Sequence, residues 1–190
     1  MTGRLLSVQV GRARSVSLSG RSVLSAYGKQ PVAGPVAVRG LGLEGDEQAD
    51  LSVHGGLSKA LYAYPAEHYP FWRTVRAQAQ VSGWDDTLPP GAMGENLTIT
   101  GLLETDAWIG DVLRFPRCAL AVSEPRFPCF KFEAAMGFRQ SVKLMAQSGY
   151  CGFYLAVREE GLLEAGEAFE LIPGPRDVSI AELFAARMKR

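Results

Sequence analysis

The sequence predicts a β-rich α+β fold. Three observations carry that prediction: eight short runs of strand length, glycine and proline scattered along the whole chain, and few segments with helical spacing. The 190 residues contain 21 Gly and 11 Pro, with no repeat and no low-complexity tract. One domain, residues 1–190, built of short elements joined by many turns, is the reading that follows. Many short strands with frequent turn signals suit a barrel or a sandwich.

The strand candidates follow in order. Leu5–Val10 is apolar and partly β-branched, and Pro35–Val38 and Ala60–Tyr64 resemble it. Asn96–Thr100 alternates, which places Leu97 and Ile99 on one face. Asp111–Phe115 follows a Gly110-Asp111 turn. Cys118–Ser123 and Gly152–Val157 are apolar enough for central strands, and Ala168–Ile172 closes the set. For helices, Phe138, Val142 and Met145 recur at helical spacing before a stop at Gly149. Ser179-Ile-Ala-Glu182 fits a capping box that opens a helix over about 179–188. Pro65 suits a first helical turn, but Pro70 lies too deep for that same helix, so a break or restart is expected there.

Composition excludes several classes. Apolar residues make up 47% and charged residues 21%, so a packed core is expected rather than disorder. Lys+Arg and Asp+Glu both number 20, which leaves no electrostatic footprint for nucleic acid. The start has no secretory apolar run, and no stretch reaches the roughly 18 apolar residues of a membrane helix, so a cytoplasmic protein with no membrane partner is expected. The cysteines, Cys118, Cys129 and Cys151, are odd in number and never spaced Cys-x-x-Cys. A disulfide framework, a zinc ribbon and a thioredoxin-like pair are all disfavoured.

Three segments carry chemistry. In the first, His54-Gly-Gly-Leu-Ser58-Lys59, the side chains of His54, Ser58 and Lys59 can donate to an anion. Gly55 and Gly56 let backbone N–H groups approach it as a nest. Spacing alone leans toward a glycine-rich turn with a surface lysine; a histidine, one of only two, beside Gly-Gly and near a lysine narrows the difference. The preceding acids Glu44, Asp46, Glu47 and Asp50 match no calcium loop and read mostly as a solvated turn. His68, among aromatics, reads as an ordinary packed or surface histidine. The second segment, Gly94-Glu95-Asn96, puts two hydrogen-bonding side chains at a strand mouth; taken alone, a tight turn is the stronger reading. The third is Ser123-Glu-Pro-Arg126-Phe-Pro-Cys129. Its two prolines stiffen the loop, and a nearby Arg126 would favour the Cys129 thiolate, a nucleophile and soft metal ligand. Against this stands a merely buried cysteine, which is the reading for Cys118 and Cys151.

Together the motifs resemble MOSC-domain proteins, which are related to the C-terminal part of molybdenum cofactor sulfurase, and the YiiM-like bacterial group in particular. Gly42-Leu-Glu-Gly-Asp-Glu-Gln, Val53-His-Gly-Gly, Lys59-Ala, Gly94-Glu-Asn-Leu, Ile109-Gly-Asp and Ser123-Glu-Pro-Arg-Phe-Pro-Cys129 stand in the family's order, within a core of about residues 41–172. The resemblance implies a MOSC-type β-barrel with a few peripheral helices and a molybdenum cofactor, a pterin dithiolene with a phosphate. It implies that Cys129 is the catalytic residue and metal ligand. His54, Gly55, Gly56, Ser58, Lys59, Glu95, Asn96 and Arg126 would then bind the cofactor. The implied activity is reduction of N-hydroxylated compounds, including hydroxylaminopurine-type bases, to amines. No Gly-x-Gly-x-x-Gly fingerprint is present, so electrons are expected from a separate flavin or Fe–S reductase. A homodimer is compatible with this reading.

Two departures stand out. The family often reads Ser-Gln-Pro-Arg, and here Glu124 either adds negative charge near the thiolate or pairs with Arg126. Relatives also commonly carry a further helical extension, whereas this chain ends at Arg190. Two other functions remain open on sequence: a non-catalytic cofactor or sulfur carrier, and a Cys–His hydrolase or transferase using Cys129 and His54.

Overall fold

The computed structural model describes residues 2–18, 20–49 and 55–189. In chain order it contains β1 (Thr2–Val10), the hairpin β2 (Arg14–Leu18) and β3 (Arg21–Ser25), β4 (Gln30–Pro31), β5 (Val36–Arg39) and β6 (Gly42–Leu43). A 3₁₀ turn (Leu57–Lys59) leads into β7 (Leu61–Pro65), and a second (Ala66–His68) into α1 (Tyr69–Gln78). Then follow β8 (Leu97–Thr100), β9 (Val112–Arg114), β10 (Ala119–Pro125), α2 (Phe130–Met136) and α3 (Ser141–Ser148). The chain finishes with β11 (Phe153–Glu159), β12 (Gly161–Leu163), β13 (Ala168–Ile172) and α4 (Ile180–Met188).

Seven strands close a barrel in the order β1–β13–β9–β10–β11–β7–β8 and back to β1. Every pairing is antiparallel except β7 with β8. β1 closes the ring because it serves two neighbours: Thr2–Arg4 pair with β13, and Arg4–Val8 pair with β8. The register slips between Leu5 and Ser7, a bulge that bends the strand from one partner to the other. Gly3 makes the close approach possible, since a β-carbon there would fall 2.2 Å from Cζ of Phe169. The interior is filled by Leu5, Val8, Leu97, Ile99, Leu113, Leu120, Phe153, Leu155 and Phe169, each at most 1% exposed. Burying a side chain of this size contributes about 1.5–3 kcal/mol.

The eight predicted strands all form, each shifted by at most a few residues. The alternation in β8 is misleading, however. Thr98 is as buried as Leu97 and Ile99, because its hydroxyl donates to Glu95 Oε1 (3.0 Å) and accepts from Gln9 Nε2 (3.1 Å). Pro70 causes a restart: the chain makes a short 3₁₀ turn, and α1 then begins with Pro70 in its first turn. The capping box at Ser179 and Glu182 is present, and Gly149 ends α3 at φ 74°. α3 starts at Ser141, not at Phe138. Sequence spacing gives no sign of α2, nor of the β2–β3 hairpin, whose five-residue strands bury almost nothing and so show no apolar face. Lys131, early in α2, donates to the Leu24 carbonyl at 2.8 Å and ties that hairpin to the Cys129 end of the barrel.

Candidate functional site

β10 carries the chain to Pro125, at the barrel mouth, and Arg126 to Pro128 then lead into α2. Cys129 is the residue immediately before that helix, with extended backbone and a side chain that does not cap it. It opens onto a cleft that is open to solvent. The walls come from Ser25 to Tyr27, Lys29, Asp46 to Ala49, Gly55, Lys59, Tyr62, Met93, Gly94, Asn96, Arg126, Lys131 and Tyr154. Five residues expected at the site therefore share this cleft: Gly55, Lys59, Asn96, Arg126 and Cys129. Gly56, Ser58 and Glu95 do not line it. The Gly56 N–H is used by Gln48 Oε1 (3.0 Å), and the Ser58 carbonyl accepts from the Ser123 hydroxyl. His54 lies outside the described residues, as does Asp50.

Arg126 is the dominant charge. Its side chain is buried between Phe132, 5.0 Å from guanidinium carbon to ring centroid, and Tyr62, at 5.8 Å. Among the described residues its side-chain hydrogen bond goes to Met145 Sδ at 3.6 Å, and no carboxylate lies within ion-pair distance. Burial opposes the charge, but Tyr62, Tyr27, Cys129 and Tyr154 outweigh it, and the guanidinium pKa is raised. A buried cation with no counter-ion among the described residues, facing a cleft, favours an anionic ligand.

The Gly94-Glu95-Asn96 motif divides its work. Gly94 (φ 82°) lies under the ring of Tyr27; a β-carbon there would be 2.8 Å from Tyr27 Cε2. Glu95 points inward and is fully buried. Its Oε1 accepts from the Gly91 N–H (2.8 Å), the Thr98 hydroxyl (3.0 Å) and the Tyr69 hydroxyl; its Oε2 accepts from the Met93 N–H (3.0 Å). Desolvation raises its pKa despite these donors. Glu95 thus shapes the loop behind the cleft. Asn96 faces the cleft, but its amide is fully employed: Oδ1 accepts from the Tyr62 N–H (3.1 Å), and Nδ2 donates to the Gln9 carbonyl (3.2 Å) and to Asp46 Oδ2 (2.8 Å).

Asp46 is the exception in a loop read mostly as solvated, a reading that the exposed Glu44 and Glu47 follow. Its side chain is 5% exposed and forms an ion pair with Lys29, itself 8% exposed, while Oδ1 also accepts from the Gly11 N–H at 2.8 Å. The turn at Gly45-Asp46 is real, with Asp46 N–H donating to the Leu43 carbonyl at 3.1 Å. Glu47, in contrast, does lie at the surface, where it accepts from the Ala13 N–H at 2.7 Å. Glu124 pairs with Lys59 at 3.6 Å rather than with Arg126. Lys59 also stands over the Tyr154 ring at 5.7 Å. Sequence reasoning missed Tyr27, Lys29, Tyr62, Lys131 and Tyr154. They come from separate elements, and no local spacing marks them.

The other titratable candidates lie elsewhere. Cys118 and Cys151 are buried as expected, and burial pushes the Cys118 thiol up to about 12. No disulfide joins the cysteines. His68 is a packed histidine, 2.7 Å from Glu104 Oε2 and stacked on Tyr150 with 3.9 Å between centroids. Among the described residues no three His, Cys, Asp or Glu side chains cluster to hold a metal ion, and no helix is long and apolar enough to cross a membrane.

The barrel has known counterparts. The uncharacterized protein YflK of Bacillus subtilis is 38% identical over 177 residues, 93% of this chain and 76% of that protein. Protein YiiM of Escherichia coli is 37% identical over 162 residues, 85% of this chain and 70% of that one. The crystal structure of E. coli YiiM superposes with a TM-score of 0.75 at 28% identity, covering 100% of this chain and 79% of that one. A Gibberella moniliformis protein named "Reductase" is 35% identical over 174 residues, 91% of this chain but 30% of its own length. The MOSC domain family matches residues 50–170. With that match, these relatives and a closed barrel of the same architecture, the chain belongs to the MOSC-domain family.

Proposed function

We propose that this chain binds a molybdenum cofactor in the Cys129 cleft and reduces N-hydroxylated compounds to amines. The observation that carries the reading is the buried Arg126 guanidinium, without a carboxylate counter-ion among the described residues, in the same cleft as the Cys129 thiol. A pterin dithiolene with a phosphate needs what this cleft offers: fixed positive charge, and one soft sulfur ligand for the metal. Because the described side chains form no metal-binding cluster of their own, a metal there would arrive with most of its ligands, as a dithiolene-bound metal does. Cys129 would hold the metal, and Arg126 and Lys59 would neutralise the ligand's negative charge. Asn96 would act at one remove, by fixing the backbone of Tyr62 and the Asp46 loop.

When bound, the cofactor supplies a two-electron redox centre, and the overall change is a hydroxylamine plus two electrons and two protons giving an amine and water. The chain's own part is to hold and orient. Phe132 and Tyr62 flank Arg126 and keep bulk water from its charge, which strengthens any ion pair it makes with a ligand. Electrons would come from a separate flavin or Fe–S reductase. The relative named "Reductase" favours the redox reading over a carrier.

Elemental analysis of the chain made in a cofactor-competent host tests the reading. Wild type should carry stoichiometric molybdenum and reduce a hydroxylaminopurine when given a competent electron donor. Cys129→Ala should lose both. Bound molybdenum without turnover on N-hydroxylated compounds would leave a carrier. Undiminished turnover by Cys129→Ala would sink the proposal.

A further inference from the structure

Tyr27 lies between β3 and β4, and its side chain lines the same cleft as Arg126 and Cys129. Its hydroxyl is shut off from bulk solvent and has no hydrogen-bond partner among the described residues. Folded proteins seldom keep such a group, because an unsatisfied buried hydroxyl opposes folding. The fold nevertheless makes room for it. Gly94 takes a backbone conformation that L side chains rarely adopt, and it leaves the space that the Tyr27 ring occupies. Burial raises the phenol's pKa first of all; Arg126 pulls it down, while Glu95, Cys129 and Tyr154 push it further up. The group therefore stays an O–H donor at neutral pH.

We infer that Tyr27 is a ligand-binding residue, whose O–H acts with the Arg126 guanidinium to grip one oxyanion presented beside Cys129. Arg126 contributes the charge and Tyr27 the direction: a neutral donor with one proton and no other acceptor to satisfy. A phenol held so firmly protonated binds oxygen without surrendering its proton. Its removal should therefore change affinity and leave the pH profile alone. The inference rests on reading the cleft as a site for an anionic cofactor, but it needs only an oxyanion and no redox step.

Calorimetric titration of the full chain without cofactor tests it, using sodium molybdate and sodium phosphate as probes. Wild type is compared with Tyr27→Phe and Arg126→Gln. Tyr27→Phe should weaken oxyanion binding about tenfold, and Arg126→Gln should weaken it more. The melting temperature of ligand-free Tyr27→Phe should hold or rise by about 2–4 °C, because the deleted oxygen satisfied no protein group. A merely structural tyrosine gives the opposite pair of results, a lower melting temperature with unchanged affinity, and that pair overturns the inference. So does the absence of saturable oxyanion binding by wild type. Molybdate bound more tightly than phosphate supports the pair as a grip on oxygens carried by the metal; the reverse order supports it as a grip on the cofactor's phosphate. Failure here is separable from failure of the molybdenum reading. A chain that loads molybdenum yet binds oxyanions indifferently to Tyr27 keeps that reading and loses this one. A chain that grips oxyanions through Tyr27 but never loads molybdenum does the reverse.

Discussion

Asn96 Nδ2 donates to Asp46 Oδ2 at 2.8 Å, so two motifs 50 residues apart meet in the wall of the Cys129 cleft. The same Asp46 carries the buried charge that balances Lys29. Burial lowers the Lys29 pKa, and Asp46 works against that fall. Asp46→Asn keeps the shape but leaves Lys29 buried without its counter-ion. The expected loss is about 3–5 kcal/mol of stability. Urea denaturation measures it, and adding Lys29→Met to Asp46→Asn, which removes the unpaired ammonium, should recover part of the loss.

Glu95 offers a test of a different kind, because it sits in the same motif as Asn96 and Gly94 yet faces away from the cleft. Four donors converge on its two oxygens. Glu95→Gln replaces one acceptor oxygen with a donor and strands at least one buried N–H or O–H. A loss of about 1–3 kcal/mol follows, read as a lower urea midpoint at constant m-value. Oxyanion affinity of the folded variant should stay within about twofold of wild type; a larger drop would make Glu95 a ligand residue after all.

Five of the six tyrosines, Tyr27, Tyr62, Tyr64, Tyr69 and Tyr154, have pKa values raised above 10, each mainly by burial. A folded-state pKa above the unfolded value means that the folded chain holds protons the unfolded chain would release. Their contribution to stability is complete below about pH 10 and is lost as pH rises through the folded values. Tyrosinate absorbance from these five should therefore appear together with the loss of near-UV circular dichroism, in one alkaline transition. Gradual ionisation of all five near pH 10, with the tertiary signal intact, would contradict the burial seen here.

Parts of the fold and site that depend on local sequence were legible, and parts that depend on distant pairing were not. Pro70, the Ser179 capping box and Gly149 act within one helical turn, and each does what its residue type dictates. Cys129 stood out because Arg126, Pro125 and Pro128 are its chain neighbours. Asp46 could not be told apart from the solvated acids of its loop because its partner Lys29 lies 17 residues away, in a segment with no periodicity. Tyr27 was invisible for the same reason. Its role depends on Gly94, which reaches it only when β8 and the β3–β4 link come together. The β2–β3 hairpin left no pattern because neither of its strands buries a face.

Glu124 stands on the strand that leads to Cys129, and the structure gives its charge a physical consequence. Its carboxylate pairs with Lys59 at 3.6 Å, with both side chains about a quarter exposed. Lys59 lines the cleft, so Glu124 offsets one positive charge at the site where an anion would enter. Glu124→Gln removes that offset. A partly exposed pair is screened by solvent, so the gain is small: about two- to fivefold tighter binding of molybdate or phosphate at low salt. Raising the salt to about 0.5 M shortens the screening length to a few ångström and should abolish the difference. Parallel titrations at the two salt concentrations decide the matter, and unchanged affinity at low salt would mean that Lys59 does not act on the anion.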